Sequence, residues 1–290
     1  MSRLSQCRAD AVLAEYDAAL ADSTLSPRSR RVYRSRVAGY LSWLAGRGAA
    51  GADPLADSRA GGAAVREYRE WLTGRPVKPT TINATLTALD HFYKHLRVGP
   101  VASRREELAS GARRILDADE QREFLSALDR VASTRDRAIA HAMLYAGLRA
   151  AEVVALDLPD VLLRKGFIVV RDLGTASGRT VPLARQSRPV LRTWLTERTG
   201  WPDSGAAEAV FLNQRGGRLT DRSVTDLVAR IGSVAGLNGD AGKAFITPQV
   251  LRHTFANRLL RGGADIESVA RIMGHKRLDT TRRYIGTGTR

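Results

Sequence analysis

Residues 161–183 read VLLRKGFIVVRDLGTASGRTVPL, and here the period of the chain changes. β-Branched residues fall in short runs, broken first by Arg164-Lys165-Gly166 and then by the Gly- and Ser-rich stretch 172–178. This is the pattern of three short strands joined by tight turns. On both sides the apolar residues return at helical spacing. Downstream, helices are predicted over 186–197, 221–234, 248–260, 265–273 and 280–285. Upstream, helices are predicted over 117–128 and 134–145, the latter stopped by Gly147, with a short helix starting at Arg149. Further back, residues 99–113 (GPVASRREELASGAR) have no apolar period and read as a linker. The first hundred residues are helical, with predicted helices over 8–20, from Ser26-Pro27 onward, over 63–72 and over 80–96. The Gly- and Ala-rich residues 46–62 read as a connector. Ser26-Pro27 is a good N-cap followed by proline at the first helical position. The fold class is therefore mainly α (α+β): a helical domain over 1–98, a linker, and a helical domain over 114–290 with a small three-stranded antiparallel sheet.

The chain has 290 residues, 43% hydrophobic and 26% charged, values of an ordinary globular protein. No 18 apolar residues run together, which argues against a membrane-spanning helix and a membrane partner. Asp10 and Glu15 precede any apolar block, so no secretory signal is expected. A lone Cys7 cannot form an internal disulfide, and a cytoplasmic location is expected. The net charge is +16, from five lysines and 41 arginines against 30 acidic residues. Residues 1–100 carry +6 and the remainder +10. Positive charge in both parts favours a long polyanion that touches both.

Three segments concentrate the chemistry: AGLRAAEVVALD (146–157), TPQVLRHTFANRLL (247–260) and IMGHKRLDTTRRYIG (272–286). Each sets a polar residue at a turn or helix start. Arg149 follows Gly147, Arg252 lies in the first turn after Pro248, His275 follows Gly274, and Tyr284 comes nine residues later. Singly, each has a plain structural use, as a terminal-carbonyl ligand, a surface turn residue or a packing aromatic. Together they suit phosphoryl transfer through a tyrosyl ester. Arginine forks hold phosphate oxygens and stabilise the charge that builds on phosphorus. A phenolic oxygen can act as the covalent nucleophile.

The same segments resemble the tyrosine site-specific recombinases, the phage integrase family, whose motifs run GLRxSE, TPHxLRHTFA and LGHxxxxTTxxYxH. This chain gives GLRAAE, TPQVLRHTFA and MGHKRLDTTRRYIG in the same order. The chain is similar to the small two-domain, Xer-like members. The resemblance implies a core-binding domain over 1–98 and a catalytic domain over 114–290. It implies that Arg149 and Arg252 grip the scissile phosphate, that His275 hydrogen-bonds a phosphate oxygen, and that Tyr284 is the nucleophile forming a 3′-phosphotyrosyl bond. Glu152, one helical turn after Arg149, matches the acidic residue that braces that arginine. No metal, nucleotide or other cofactor is implied. The partner implied is double-stranded DNA with paired inverted half-sites, held by a homo-tetramer, with accessory recombination proteins as further partners. The role expected is DNA integration or another rearrangement, as in mobile elements. DNA contacts are expected from Arg28, Arg30, Arg31, Arg34, Lys78, Thr80, Thr81 and Asn83 in the first domain, and from Arg171, Arg179 and Lys243 in the second.

Two departures from the family pattern stand out. Gln249 replaces the usual histidine, and an amide can donate a hydrogen bond but cannot exchange a proton near neutral pH. The second β-turn, 172–178, holds no lysine where the family places its general acid. Lys165 in the preceding turn and Lys243 before Thr247 are the substitutes within reach. An arginine is a poor proton donor because its pKa lies above 12. An alternative reading follows: a catalytically impaired DNA-binding protein on the recombinase scaffold, partnering an active recombinase. A relaxing type IB topoisomerase, which shares the tyrosine chemistry, is a third.

Overall fold

The computed structural model describes residues 6–47, 52–99, 101, 105–106, 114–171, 178–202, 208–237, 245–275 and 281. The chain divides into two compact units, residues 1–110 and 111–290.

The first unit is a four-helix cluster: α1 (Gln6–Ala21), α2 (Pro27–Ala45), α3 (Ser58–Thr73) and α4 (Pro79–His95). Ser26 caps α2 by accepting from the Ser29 N–H at 3.1 Å, with Pro27 at the first position. The core holds Tyr16, Leu20, Val37, Tyr40, Leu41, Val65, Leu86, Leu89, Phe92 and Tyr93. The buried hydroxyls of Tyr40 and Tyr93 satisfy each other at 2.6 Å. One boundary differs from expectation. Helix α3 starts at Ser58, inside the stretch read as a connector, because Asp57 caps it through the Ala60 N–H at 2.8 Å. The glycine that suggested a loop serves packing instead. A Cβ on Gly61 would lie 2.7 Å from the Tyr93 ring, so only glycine lets α3 approach α4 here.

The predicted linker is docked on this unit where the structure describes it. Val101 is buried in the first core. The Asn83 amide takes the Glu106 backbone at both ends, donating to its carbonyl (2.9 Å) and accepting from its N–H (2.8 Å). Arg69 and Glu106 form an ion pair at 2.6 Å.

The second unit opens with α5 (Ala118–Val131), α6 (Thr134–Ala146) and α7 (Ala150–Ala155). A 3-10 turn at Leu158–Asp160 leads into the sheet β1 (Val161–Leu162), β2 (Phe167–Arg171) and β3 (Gly178–Pro182). The sheet is antiparallel in the order β1-β2-β3, with Ile168 opposite Val181. This is the sheet that the change of period predicts. Helices α8 (Ser187–Arg198), α9 (Asp221–Val234), α10 (Pro248–Arg261) and α11 (Ile266–Met273) complete the unit. Its core gathers Phe124, Ile139, Met143, Leu148, Ile168, Val181, Trp194, Phe211, Val228 and Leu251. Two isolated antiparallel bridges, Asp157 to Ala209 and Leu212 to Arg218, lie outside the predicted strands. The helix predicted over 280–285 falls outside the described residues except for Thr281, which is buried.

Candidate active site

The site is built on three helix ends. Helix α6 stops at Gly147, whose φ of +64° is left-handed and whose added Cβ would meet the Phe255 ring at 2.3 Å. Leu148 closes the cap by donating to Ala142 (3.3 Å). The chain then turns at Arg149 into α7. Helix α10 begins at Pro248 after the Thr247 cap, and its residues 251–257 are all buried. Helix α11 ends at Gly274, φ +62°, and His275 follows.

Glu152 lies at the centre. Its carboxylate reaches back to the Arg149 N–H at 2.8 Å and accepts from the Arg149 side chain at 2.6 Å. It accepts a two-pronged fork from Arg179 at 2.9 and 2.8 Å. The Arg252 guanidinium stands 3.6 Å away. Burial alone would raise its pKa. The hydrogen bonds and charge of Arg179, the Arg149 N–H and the charge of Arg252 outweigh burial and hold the carboxyl below the ordinary range. Glu152 thus contacts Arg149, on which it is expected to act, and two more arginines, Arg179 and Arg252.

Arg252 is 2% exposed and donates to the carbonyls of Gly147 and Met273. A buried guanidinium is held only where carbonyls and carboxylates surround it. Arg149 is the more open of the pair, its side chain 42% exposed, with one donor on the Gly274 carbonyl at 3.2 Å. His275 places Nδ1 2.8 Å from the Thr281 hydroxyl, and its backbone N–H donates to Ala270. Gln249 is exposed, and its amide nitrogen lies 2.8 Å from Nε2 of His253, one turn along the same helix face. The structure therefore brings Arg149, Glu152, Arg252 and His275 together around the end of α11. Tyr284 and Lys243 lie outside the described residues, as does the turn 172–177.

The residues expected on DNA divide into several kinds. Arg28, Arg31, Lys78 and Thr80 are exposed, and Thr81 is half-buried at the start of α4. Arg30 is half-buried and donates to the carbonyls of Leu25 (2.9 Å) and Ser23 (2.7 Å). Arg34 is exposed and pairs with Asp17 at 3.0 Å. Asn83 is committed to Glu106, as described above. Arg171 is exposed and pairs with Asp160 at 2.7 Å. Lys165 is exposed in the β1–β2 turn. Arg179, expected to flank the DNA, faces inward instead, with its side chain only 16% exposed. The signal for this was in the strand period. Arg179 shares a face of β3 with the buried Val181, two residues on. Among the described residues, no three His, Cys, Asp or Glu side chains are grouped to hold a metal ion, and no helix is long and apolar enough to cross a membrane.

The sequence pattern of the phage integrase family matches residues 114–288, and the chain belongs to that family, the tyrosine recombinases. It is similar to the tyrosine recombinase XerC of Pelobacter propionicus, 32% identical over 231 residues that cover 76% of this chain and 72% of the relative. XerC of Myxococcus xanthus is 35% identical over 237 residues, 77% of this chain and 76% of that one. Among solved structures, the Tn1549 transposon integrase in complex with transposon right end DNA shares the fold. It gives a TM-score of 0.75 at 18% identity, over 96% of this chain and 95% of that one. The XerA recombinase aligns over 97% of this chain and 94% of that one, at 25% identity and a TM-score of 0.54.

Proposed function

We propose that this tyrosine recombinase performs site-specific DNA recombination through Tyr284. The phenolic oxygen attacks the scissile phosphorus as the bond from phosphorus to the 5′ oxygen breaks. The tyrosine's proton is lost, the 5′ oxygen takes up a proton, and a 3′-phosphotyrosyl ester remains. A 5′-hydroxyl from a partner strand reverses the step. The ester keeps the energy of the broken bond, so no nucleotide is consumed. Arg149 and Arg252 hold the non-bridging oxygens and stabilise the charge that builds there. His275, set by Thr281, donates to a phosphate oxygen, and the Gln249 amide adds a further donor. The 5′ oxygen needs a proton source other than the family's usual lysine, and Lys165 and Lys243 are the candidates.

One observation carries this reading: two arginines, from separate helix ends, meet a single carboxylate beside His275. That arrangement supports a preorganised cradle for a phosphodiester. The exposed basic and hydroxyl groups at the starts of α2 and α4 support a duplex docking against the first unit. The proposal extends to paired inverted half-sites, a tetramer holding two duplexes, action in the cytoplasm and a place in a mobile element. Accessory proteins would join at the synapsis.

Covalent trapping tests it. Purified protein is incubated with labelled duplexes nicked near candidate inverted repeats that flank its gene. An SDS-resistant adduct is expected with the wild type and none with Tyr284→Phe. Sequence-specific binding with no adduct in either protein would overturn strand cleavage and leave a DNA-binding role.

A further inference from the structure

The end of α11 carries a pattern that the two phosphate arginines alone do not explain. The last carbonyls of a helix have no partner within it. Here three in succession are each taken by a different arginine: Ile272 by Arg179 at 2.7 Å, Met273 by Arg252, and Gly274 by Arg149 at 3.2 Å. The same three arginines surround Glu152. Arg179 uses every nitrogen it has, Nε on Ile272 and both Nη atoms on the carboxylate. Three of its five N–H donors are thereby committed, and its side chain is only 16% exposed. The turn is shaped to admit it, since a Cβ on Gly274 would stand 2.9 Å from Nη1.

We propose that Arg179 is a positioning residue for strand cleavage. It takes up the charge of Glu152 so that Arg149 and Arg252 keep theirs for the scissile phosphate, and it fixes the turn that presents His275. The inference rests on the functional reading above and adds to it a third arginine that never touches DNA. The physical argument is one of charge and geometry. A carboxylate shared by two arginines alone would cancel half of their combined charge at contact distance, where the interaction is strongest. A planar fork on that carboxylate makes a neutral pair and leaves the cluster with a net charge of two for an anion. The Arg179 Nε also ties β3 to the Ile272 carbonyl, just before Met273, and so joins the sheet to the turn that carries His275. Lysine, with a single point charge, cannot fill both roles.

The test reads binding and chemistry separately, in the full-length protein. Arg179→Gln should bind a half-site duplex within about threefold of wild type, since no DNA contact is lost. Its cleavage of a nicked duplex at saturating protein should fall about 10²-fold, the scale of one lost transition-state donor. Arg179→Lys, the milder change, should recover only part of that loss. The double variant Arg179→Gln with Glu152→Gln should cleave no more slowly than Glu152→Gln alone, because the charge that Arg179 balances is gone. Hydrogen exchange at the His275 amide, bonded to Ala270, should quicken in Arg179→Gln. Unchanged cleavage, unchanged exchange, losses that multiply in the double variant, or weaker half-site binding with normal saturated cleavage would each overturn the proposal. If the wild type cleaves nothing, the functional reading fails, while the exchange measurement still decides whether Arg179 holds the turn.

Discussion

Helix α2 and the end of α11 use arginine in opposite ways. In the first half of α2, Arg28, Arg31 and Arg34 lie in solvent, and Arg30 serves the loop before its own helix. Around α11, Arg149, Arg179 and Arg252 converge on one carboxylate and three carbonyls, and Arg252 is fully buried. The residue type is the same, but the energetics are not. An exposed arginine gains little from a single ion pair. A buried one is stable only while every partner stays in place, and losing one partner strands the rest. An arginine-rich composition therefore indicates a polyanion partner without indicating where the chemistry is. The number of partners each guanidinium holds does that.

The sharpest break of this comparison is Arg252→Met. It should cost about 3–5 kcal/mol of stability, the scale for removing one partner of a buried charge cluster. Cleavage should fall about 10²–10³-fold, read from adduct formation under conditions where the variant is folded. Next comes Gly147→Ala, which forces a side chain into the left-handed region and against Phe255. Strain and overpacking together should cost about 3 kcal/mol, read as a lower denaturant midpoint with an unchanged slope. A third test uses pH. The Glu152 carboxyl is held below its ordinary value of 4.5 in the folded state. The stability it contributes is present above that value and is lost as the pH falls through the depressed one. Glu152→Gln should therefore flatten the acid side of the stability profile, followed by denaturant titration from pH 6 downward. The smallest effects belong to α2. Arg30→Ala should cost about 1–2 kcal/mol, for the two carbonyls it now serves. Arg31→Ala should stay within about 0.5 kcal/mol of wild type. It should lower DNA affinity and reduce the salt slope by about one unit. Equal stability losses for Arg30 and Arg31 would erase the contrast.

The parts of the fold legible from sequence are those fixed by local chemistry. Ser26-Pro27 dictates the start of α2, Gly147 ends α6, and the alternation in 161–183 yields the sheet. Helix α3 starts earlier than the sequence predicts because Gly61 looks like a loop residue. Its reason for being glycine is the Tyr93 ring, which lies far along the chain on α4. The bridge of Asp157 to Ala209 joins distant segments and that of Leu212 to Arg218 is a single local pair, so neither leaves a strand period in the sequence. Within the site, Arg149, Glu152, Arg252 and His275 were legible because three motifs carry them in order. Adjoining the β2–β3 turn, Arg179 is expected on DNA, but its two-residue alternation with the buried Val181 points it inward. From sequence, Asn83 is expected on DNA together with Lys78, Thr80 and Thr81. Its amide instead matches the donor and acceptor of one backbone residue, Glu106, a complementarity visible only in three dimensions.

The clamp on the last carbonyls of α11 also bears on when this protein becomes active. Its arginines come from three separate stretches, and the contact from Arg149 to Gly274 spans 125 residues. Closing so long a loop costs entropy that the contact must repay. An unfinished chain or a proteolytic fragment would hold Arg149 without the helix end that orients it. Competence to cut DNA would then arrive only with the completed domain, a safeguard built from sequence separation alone.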